Sequence, residues 1–490
     1  MSEASGPIRF LLNGAERSVS GVKPTTTILE HLRRTEHLTG TKEGCAEGDC
    51  GACTVLLSEP DGKGGLARRA VNACIQFLPS AHGRAIETIE HLGRDGPHPL
   101  QTAMVERHGS QCGFCTPGFV MQLHAGWLNG ALIDGHGNAD RQGVKDAISG
   151  NLCRCTGYGP IVEAGLDLAR HPVPDTAAAA DEATAARLAD LRGTGVFRYE
   201  TPDGLWLSPG DADALADAYE AHPDATLVAG ATDVGLWVTK QHRDLPVLID
   251  VSRAADLRLI EEGPGALYIG AGVTHTEAHG RLAEIHPDIG ELVRRFAGRQ
   301  IRNAGTIGGN IANGSPIGDM APALIALGAR VHLRKGDVGR SLPLEDFFIS
   351  YGKQDRTSSE FVAALEVPVL GPHQLFSCHK ISKRFDSDIS AVLAAFRLTI
   401  EEGVVAEARL AFGGMAATPK RAAMAEAALL GAPFDAAAAE RAASKLGEDF
   451  TPLDDMRASS AYRLTVARNL LLRFGLEASG APRARVLEIA

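Results

Sequence analysis

The sequence predicts a multidomain α+β protein. Residues 6–92 alternate short apolar strands with turn signals around one helical stretch. Residues 93–170 lose that alternation and read as short helices, and residues 193–485 return to mixed strands and helices. A chain of 490 residues has room for three or four domains of ordinary size.

The first segment reads as a β-grasp. Ile8–Leu12 is a strand, Asn13-Gly14 a hairpin turn and 16–19 the returning strand. Thr27 and Glu30 have the spacing of a capping box, and Ile28, Leu29 and Leu32 begin an apolar helical face. The Gly-rich run 44–53 suits no regular element. Further strands are expected at 55–57, before Cys74 and at 86–89. In the second segment, helices are expected at 98–107, 118–129, 141–149 and 160–169. Pro117 and Pro160 suit the first turns of two of them, where a missing N–H costs nothing.

Pro172 and Pro174 open an expected linker over 171–192, whose Ala/Asp/Glu-rich run reads as at most transiently helical, with too little apolar area to hold a core. From 193 to 370, glycines separate short strands (226–230, 247–251, 267–272) from helices. From 375 to 485 the pattern is antiparallel α+β. Strands are expected near 396–400 and 407–412, then Ala-rich helices from Lys420 onward.

Hydrophobic residues make up 44% and charged residues 22%, the balance of a soluble globular chain. The formal net charge of −11 argues against a nucleic-acid partner, which wants a basic face. No run approaches the ~18 apolar residues of a membrane span. The N-terminal MSEASGPIRF lacks the basic and apolar regions of a secretory signal, so the expected location is the cytoplasm. In that compartment nine cysteines read as ligands before disulfides.

Eight of the nine cysteines fall into two sets. Cys45-x4-Cys50-x2-Cys53 with Cys74 has the plant-type spacing of a [2Fe–2S] cluster. Gly44, Gly48 and Gly51 ease the limit on φ where the chain curls, and small Ala46 and Ala52 let N–H groups approach the sulfurs. Cys112-x2-Cys115 with Cys153-x-Cys155 is the second set. Read alone, it suits a tetrahedral zinc as well as an iron cluster. The neighbouring cluster favours iron, because a redox-silent zinc beside an electron-transfer centre is an unusual use of four cysteines. The ninth, Cys378, reads as a small buried hydrophobe.

No G-x-G-x-x-G follows an expected strand, so a Rossmann site is not supported. Two other Gly-rich loops, LVAGATDV (227–234) and TIGGNI (306–311), lie beside apolar strands. Such loops present backbone N–H groups to a pyrophosphate.

GCAEGDCGACTVLL, VNACI, QCGFCTPG and GNLCRCTGYGPI together resemble the molybdenum hydroxylases, the xanthine dehydrogenase and aldehyde oxidase family. The resemblance implies a plant-type ferredoxin domain (6–92), a four-helix [2Fe–2S] domain (93–170), a PCMH or vanillyl-alcohol-oxidase-type FAD domain (193–370) and a C-terminal CO dehydrogenase-like flavoprotein domain (375–485). It makes Cys45, Cys50, Cys53 and Cys74 the ligands of one cluster, and Cys112, Cys115, Cys153 and Cys155 those of the other. Gln111 matches a glutamine that touches the molybdopterin on a partner.

For FAD, the resemblance makes Leu227, Val228, Ala229, Gly230, Ala231, Thr232, Asp233 and Val234 one pyrophosphate loop. Thr306, Ile307, Gly308, Gly309 and Asn310 form the other. Phe296 matches an aromatic lying against the isoalloxazine, and Asp319, Val362 and Lys380 match further flavin contacts. Ala231 departs from the family's usual Gly or Asn, so a left-handed backbone there carries a mild strain. KISKRFDSDIS (380–390) resembles the small subunits of bacterial xanthine dehydrogenases more than aldehyde-oxidising relatives. Lys383, Arg384, Asp386 and Asp388 would then lie on the nicotinamide side of the flavin.

The implied activity is NAD-dependent oxidation by a two-subunit enzyme. A molybdopterin-binding large subunit oxidises hypoxanthine and xanthine to urate. Electrons pass to the Cys112 set, then to the Cys45 set, then to FAD, and NAD is the co-substrate. The implied assembly is a heterotetramer of two small and two large subunits, without nucleic acid or membrane. No catalytic acid or base is expected on this chain. The same pattern also fits an aldehyde- or N-heterocycle-oxidising relative, such as one acting on nicotinate, and a stand-alone NADH-dependent reductase.

Overall fold

The structure, a computed structural model, describes residues 5–94, 96–174, 176–483 and 485. Its contacts divide the chain into two compact units. One comprises the residues up to Asp256 with Ala297–Gly305. The other comprises Leu257–Phe296 with the residues from Thr306 onward. The division falls inside the 193–370 segment.

The first unit opens with a mixed five-stranded sheet in the order Ala15–Val19, Ile8–Leu12, Ala85–Glu87, Thr54–Pro60, Leu66–Asn72. The central pair, Ile8–Leu12 and Ala85–Glu87, is parallel and the other pairs are antiparallel. The helix Ile28–Arg34 packs Ile28, Leu29 and Leu32 into a core with Phe10 and Phe77. Thr27 caps it through Glu30 N, but the reciprocal half of the expected box is absent, because Glu30 pairs with Arg34 instead.

Four helices follow at Pro99–Glu106, Thr116–Leu128, Arg141–Ala147 and Gly159–Ala169. Pro117 and Pro160 sit in first turns as expected. Leu100, Phe119, Leu123, Val144 and Ile161 form a closed core between them.

The segment expected to be a linker is a helix, Thr176–Arg192. Leu188 and Leu191 lie on one face at i, i+3 and bury against Leu11 and Ala85, and Asp181 pairs with Arg68. A low apolar total is enough when the few apolar residues share one face. A four-stranded sheet completes this unit in the order Phe197–Thr201, Gly204–Ser208, Val247–Asp250, Thr226–Val228. It brings Tyr199, Trp206 and Leu248 into the core that holds Ile8 and Phe77.

The described residues of the second unit hold three antiparallel sheets, the smallest being the pair Phe348–Ser350 and Lys353–Gln354. The largest runs Ile260–Gly263, Ala266–Gly270, Phe361–Pro368, Arg330–Lys335, Val338–Pro343. The third runs Gln374–Ile381, Val392–Glu401, Val404–Gly413, Lys420–Arg421. Lys420 and Arg421 thus extend a sheet, and the Ala-rich helices begin at Ala423. Among the described residues, no helix is long and apolar enough to cross a membrane.

Candidate cluster and flavin sites

The run 44–53 folds as an irregular loop around its cysteines. Gly48 and Gly51 have φ of +80° and +70°, and Ala46 shares the left-handed region at +52°. Gly44 serves space instead: a Cβ there would lie 2.8 Å from Cys50 Sγ. Cys50 N donates to Cys45 Sγ at 3.3 Å, and Asn72 Nδ2 reaches Cys53 Sγ at 3.7 Å. Cys74 follows the strand Leu66–Asn72, fixed by Ala73 N donating to Cys53 O. Cys53 and Cys74 are buried, whereas Cys45 and Cys50 are half-buried.

In the second set, Cys112 and Cys155 are exposed, and Cys115 and Cys153 half-buried. Cys153 Sγ lies 3.1 Å from Thr156 Oγ1 and accepts from Thr156 N at 3.5 Å, while Cys153 N donates to Tyr158 OH at 3.0 Å. Thr156 and Tyr158 went unassigned in the sequence, although C-T-G-Y carries both. Gln111 is exposed beside Cys112.

The cysteines pair off. A hydrogen bond between Cys45 and Cys50 holds the Cys45 thiol down to about 5 and pushes that of Cys50 up. Cys53 is held down, and Cys74 pushed up, in the same way. Cys112 is lowered by the Phe114 N–H and by Cys155, whose own thiol rises. Burial, then the bond to Cys153, pushes Cys115 up to about 12. At Cys153 burial raises the thiol, but the hydroxyl and N–H of Thr156, the Cys155 N–H and the bond to Cys115 together outweigh it, and the thiol falls. Among the described residues, no three His, Cys, Asp or Glu side chains are placed to hold a single metal ion. Sulfurs arranged in twos suit a two-iron core, in which each iron takes two thiolates.

The two cysteine loops touch. Asn151 Nδ2 donates to Gly51 O at 3.0 Å, and Gln300 Nε2 donates to Asn151 Oδ1 at 2.7 Å. A Cβ on Gly118 would stand 2.2 Å from Gly51 O, so the helix carrying Cys115 at its start lies directly on the first loop.

Of the flavin candidates, residues 227–234 belong to the first unit. They link the strand Thr226–Val228 to the helix Val234–Thr239. Gln76 Nε2 donates to Gly230 O at 2.7 Å, and a Cβ on Gly230 would lie 1.8 Å from Ala304 O. Ala231 adopts φ +54°, the strained geometry its departure from Gly foretold. None of the described hydrogen bonds is donated by the N–H of Gly230, Ala231, Thr232 or Asp233, so this loop has donors to offer a phosphate. Asp233 is exposed.

The remaining candidates belong to the second unit. Ile307 N and Gly308 N donate to Val273 O and Ala271 O, and Gly309 N donates to Thr306 Oγ1. The N–H groups expected to face a pyrophosphate here are therefore spent within the protein. What this loop offers is Asn310 Oδ1, a buried acceptor with no hydrogen-bond partner. Phe296 packs its ring 4.3 Å from that of His275. Val362 is buried on its strand opposite Leu333.

Asp319 and Lys380 are brought together as a buried ion pair, Nζ to Oδ2 at 2.5 Å. The neighbouring Arg295 donates to Lys380 O and to Phe385 O, with its guanidinium 4.8 Å over the Phe385 ring. Asp388 accepts from Lys383 N and Arg384 N and so closes the charged loop on itself. Cys378 is buried, and burial pushes its thiol up.

Four domain families match in chain order. Residues 10–77 match the 2Fe-2S iron-sulfur cluster binding domain and 88–166 the [2Fe-2S] binding domain. Residues 197–370 match the FAD binding domain in molybdopterin dehydrogenase, and 377–478 the CO dehydrogenase flavoprotein C-terminal domain. The chain belongs to the molybdenum hydroxylases.

Within that family it is the FAD and [2Fe–2S] electron-transfer region. The xanthine dehydrogenase of Drosophila subobscura is 32% identical over 96% of this chain, and the xanthine dehydrogenase/oxidase of Rattus norvegicus is 30% identical over 83%. The chain spans 39% and 34% of those relatives. Among solved structures, carbon monoxide dehydrogenase from Hydrogenophaga pseudoflava superimposes with a TM-score of 0.53 at 27% identity, over 58% of this chain and 100% of that one. Quinoline 2-oxidoreductase from Pseudomonas putida 86 gives 0.51 at 26%, over 56% and 95%.

Proposed function

We propose that this chain is the small subunit of an NAD-dependent xanthine dehydrogenase. It takes electrons from a molybdopterin-binding large subunit that oxidises hypoxanthine and xanthine to urate, and it passes them to NAD. Two copies of each subunit form the assembly. The observation that carries this reading is the match along 96% of the chain to a relative of that name. The resemblance of KISKRFDSDIS (380–390) to the small subunits of bacterial xanthine dehydrogenases supports it.

When bound, clusters supply one-electron transfer and FAD the two-electron exchange with a nicotinamide. The chain's own residues hold and shield these groups. The paired thiols are the ligands, and the Thr156 hydroxyl and N–H stabilise charge on the Cys153 sulfur. Gly230 to Asp233 offer N–H donors to a diphosphate, while Phe296 and Val362 present apolar surface to a flat ring. Lys380 would place a positive charge beside the flavin ring.

The test is purification from the native source, with a molybdenum assay and a substrate screen. The reading expects a large molybdenum-containing partner and urate formation with NAD. Cys153→Ser should abolish xanthine-driven NAD reduction and leave NADH–dye activity intact. A second reading, oxidation of an aldehyde or N-heterocycle, draws on the likeness to quinoline 2-oxidoreductase. Turnover of such a substrate without xanthine activity would replace the first.

A further inference from the structure

We propose that Ser390 is a positioning residue: its hydroxyl aims the ammonium of Lys380 at the flavin. The inference rests on the reading above that Lys380 and Asp319 face that ring.

Lys380, Asp319 and Ser390 are 5%, 3% and 2% exposed. Asp319 stands at the start of the helix Met320–Leu327, yet its carboxylate caps no N–H of that helix. Both of its oxygens are turned to the other two residues. Lys380 Nζ donates to Asp319 Oδ2 at 2.5 Å and to Ser390 Oγ at 2.9 Å, and Ser390 Oγ donates to Asp319 Oδ1 at 2.6 Å. The three groups close a ring of hydrogen bonds.

The donor inventory makes that ring directional. An ammonium has three N–H groups, and a serine hydroxyl can donate once while it accepts. Two N–H directions are fixed by the carboxylate and the hydroxyl, so the tetrahedral nitrogen has its third direction set. Without Ser390 Oγ, the ammonium is free to swing onto both carboxylate oxygens, and its third N–H loses its aim. The main chain holds the arrangement. Ala391 N donates to Ile381 O at 2.8 Å, closing the neck of the charged loop, and Arg295 Nη1 donates to Lys380 O at 3.1 Å. Ser390 is thereby seated beside Lys380, although its carboxylate partner lies far away in sequence.

The experiment measures FAD binding to the full-length chain after flavin removal, by fluorescence titration, in five proteins: the parent, Ser390→Ala, Ser390→Thr, Lys380→Gln and the Lys380→Gln/Ser390→Ala double variant. Gln at 380 removes the charge and leaves Asp319 a donor. Ser390→Ala is expected to raise the dissociation constant about tenfold, the scale of a hydrogen bond to a charged group. Ser390→Thr should stay within about twofold of the parent. In the Lys380→Gln background, Ser390→Ala should add nothing, because the ammonium it aims is gone.

An equal loss from Ser390→Ala in both backgrounds would overturn the proposal. So would unchanged binding in Ser390→Ala when Lys380→Gln weakens it. If Lys380→Gln itself leaves FAD binding unchanged, the flavin-facing reading fails, and the inference with it. Where the alanine chain does not fold, Ser390→Cys keeps the volume, weakens the hydrogen bonds and is held to the same outcomes.

Discussion

The main-chain N–H of Leu152 donates to the carbonyl of Cys50 at 3.0 Å, joining the two cysteine loops one residue from Cys153. Asn151 reinforces the junction from its side chain, with bonds to Gly51 O, Thr54 Oγ1 and Gln300 Nε2 in a buried setting. Asn151→Ala should leave Gly51 O and the Gln300 amide without these partners. Gly51 O keeps Thr54 N and Thr54 Oγ1 as donors and Gln300 Nε2 keeps Thr54 Oγ1 as acceptor, so what is lost is the net worth of the Asn151 bonds, about 1–3 kcal/mol. Urea unfolding checks the size. Iron analysis should show both sets depleted together, because one junction serves both loops.

Thr156 gives a prediction about the second set alone. Its hydroxyl and N–H both meet Cys153 Sγ. Thr156→Val keeps the shape and removes the hydroxyl. Hydrogen bonds to cluster sulfurs raise the reduction potential. Loss of one, at about 1 kcal/mol, corresponds to a fall of about 40 mV for a one-electron couple. A redox titration followed by paramagnetic resonance should show one cluster signal shifted and the other unchanged.

Much of this was legible in the sequence, and the exceptions have physical causes. The strand Ile8–Leu12 appears over its expected residues, and the four short helices lie within about two residues of theirs, because local periodicity and Pro-marked starts set them. The cysteine sets were legible because their spacing is local. The packing of the helix Thr176–Arg192, which read as transient at most, was not. Its apolar total is low, and only the fold reveals that Leu188 and Leu191 share a partner surface. Ser390 stood in plain view within KISKRFDSDIS, but its role depends on Asp319, whose proximity no spacing rule supplies. The loop 306–310 misled in detail: its glycines are there, yet its N–H groups serve the protein.

Ala231 offers a test of backbone strain. At φ +54° a non-glycine residue costs roughly 1–2 kcal/mol. Ala231→Gly relieves that and loses one buried methyl, roughly 0.8 kcal/mol, so stability should change by less than about 1 kcal/mol, with FAD binding kept. Ala231→Val places a β-branched side chain in the left-handed region and crowds a buried site. It should cost about 2–3 kcal/mol and weaken FAD binding. Differential scanning calorimetry and FAD titration distinguish the two. Strong destabilisation by glycine would mean that the methyl contact, not the strain, dominates.

His124 should make the first unit acid-sensitive. It is 6% exposed, its Nδ1 has no hydrogen-bond partner, and its ring lies 4.9 Å from that of His98. Burial, and then the nearby His98 and Arg68, bring it from the ordinary 6.5 down to about 3. The sign follows from proton counting. Between those two values the unfolded chain binds a proton that the folded chain refuses, so stability present above pH 6.5 is lost as pH falls. One such group contributes a slope of about 1.4 kcal/mol per pH unit. Between pH 7 and pH 5, the parent should lose about 2 kcal/mol more than His124→Leu, whatever the variant's stability at pH 7. Urea denaturation at the two pH values measures that difference. The same pH dependence in both proteins would mean that the folded chain protonates the ring near its ordinary value.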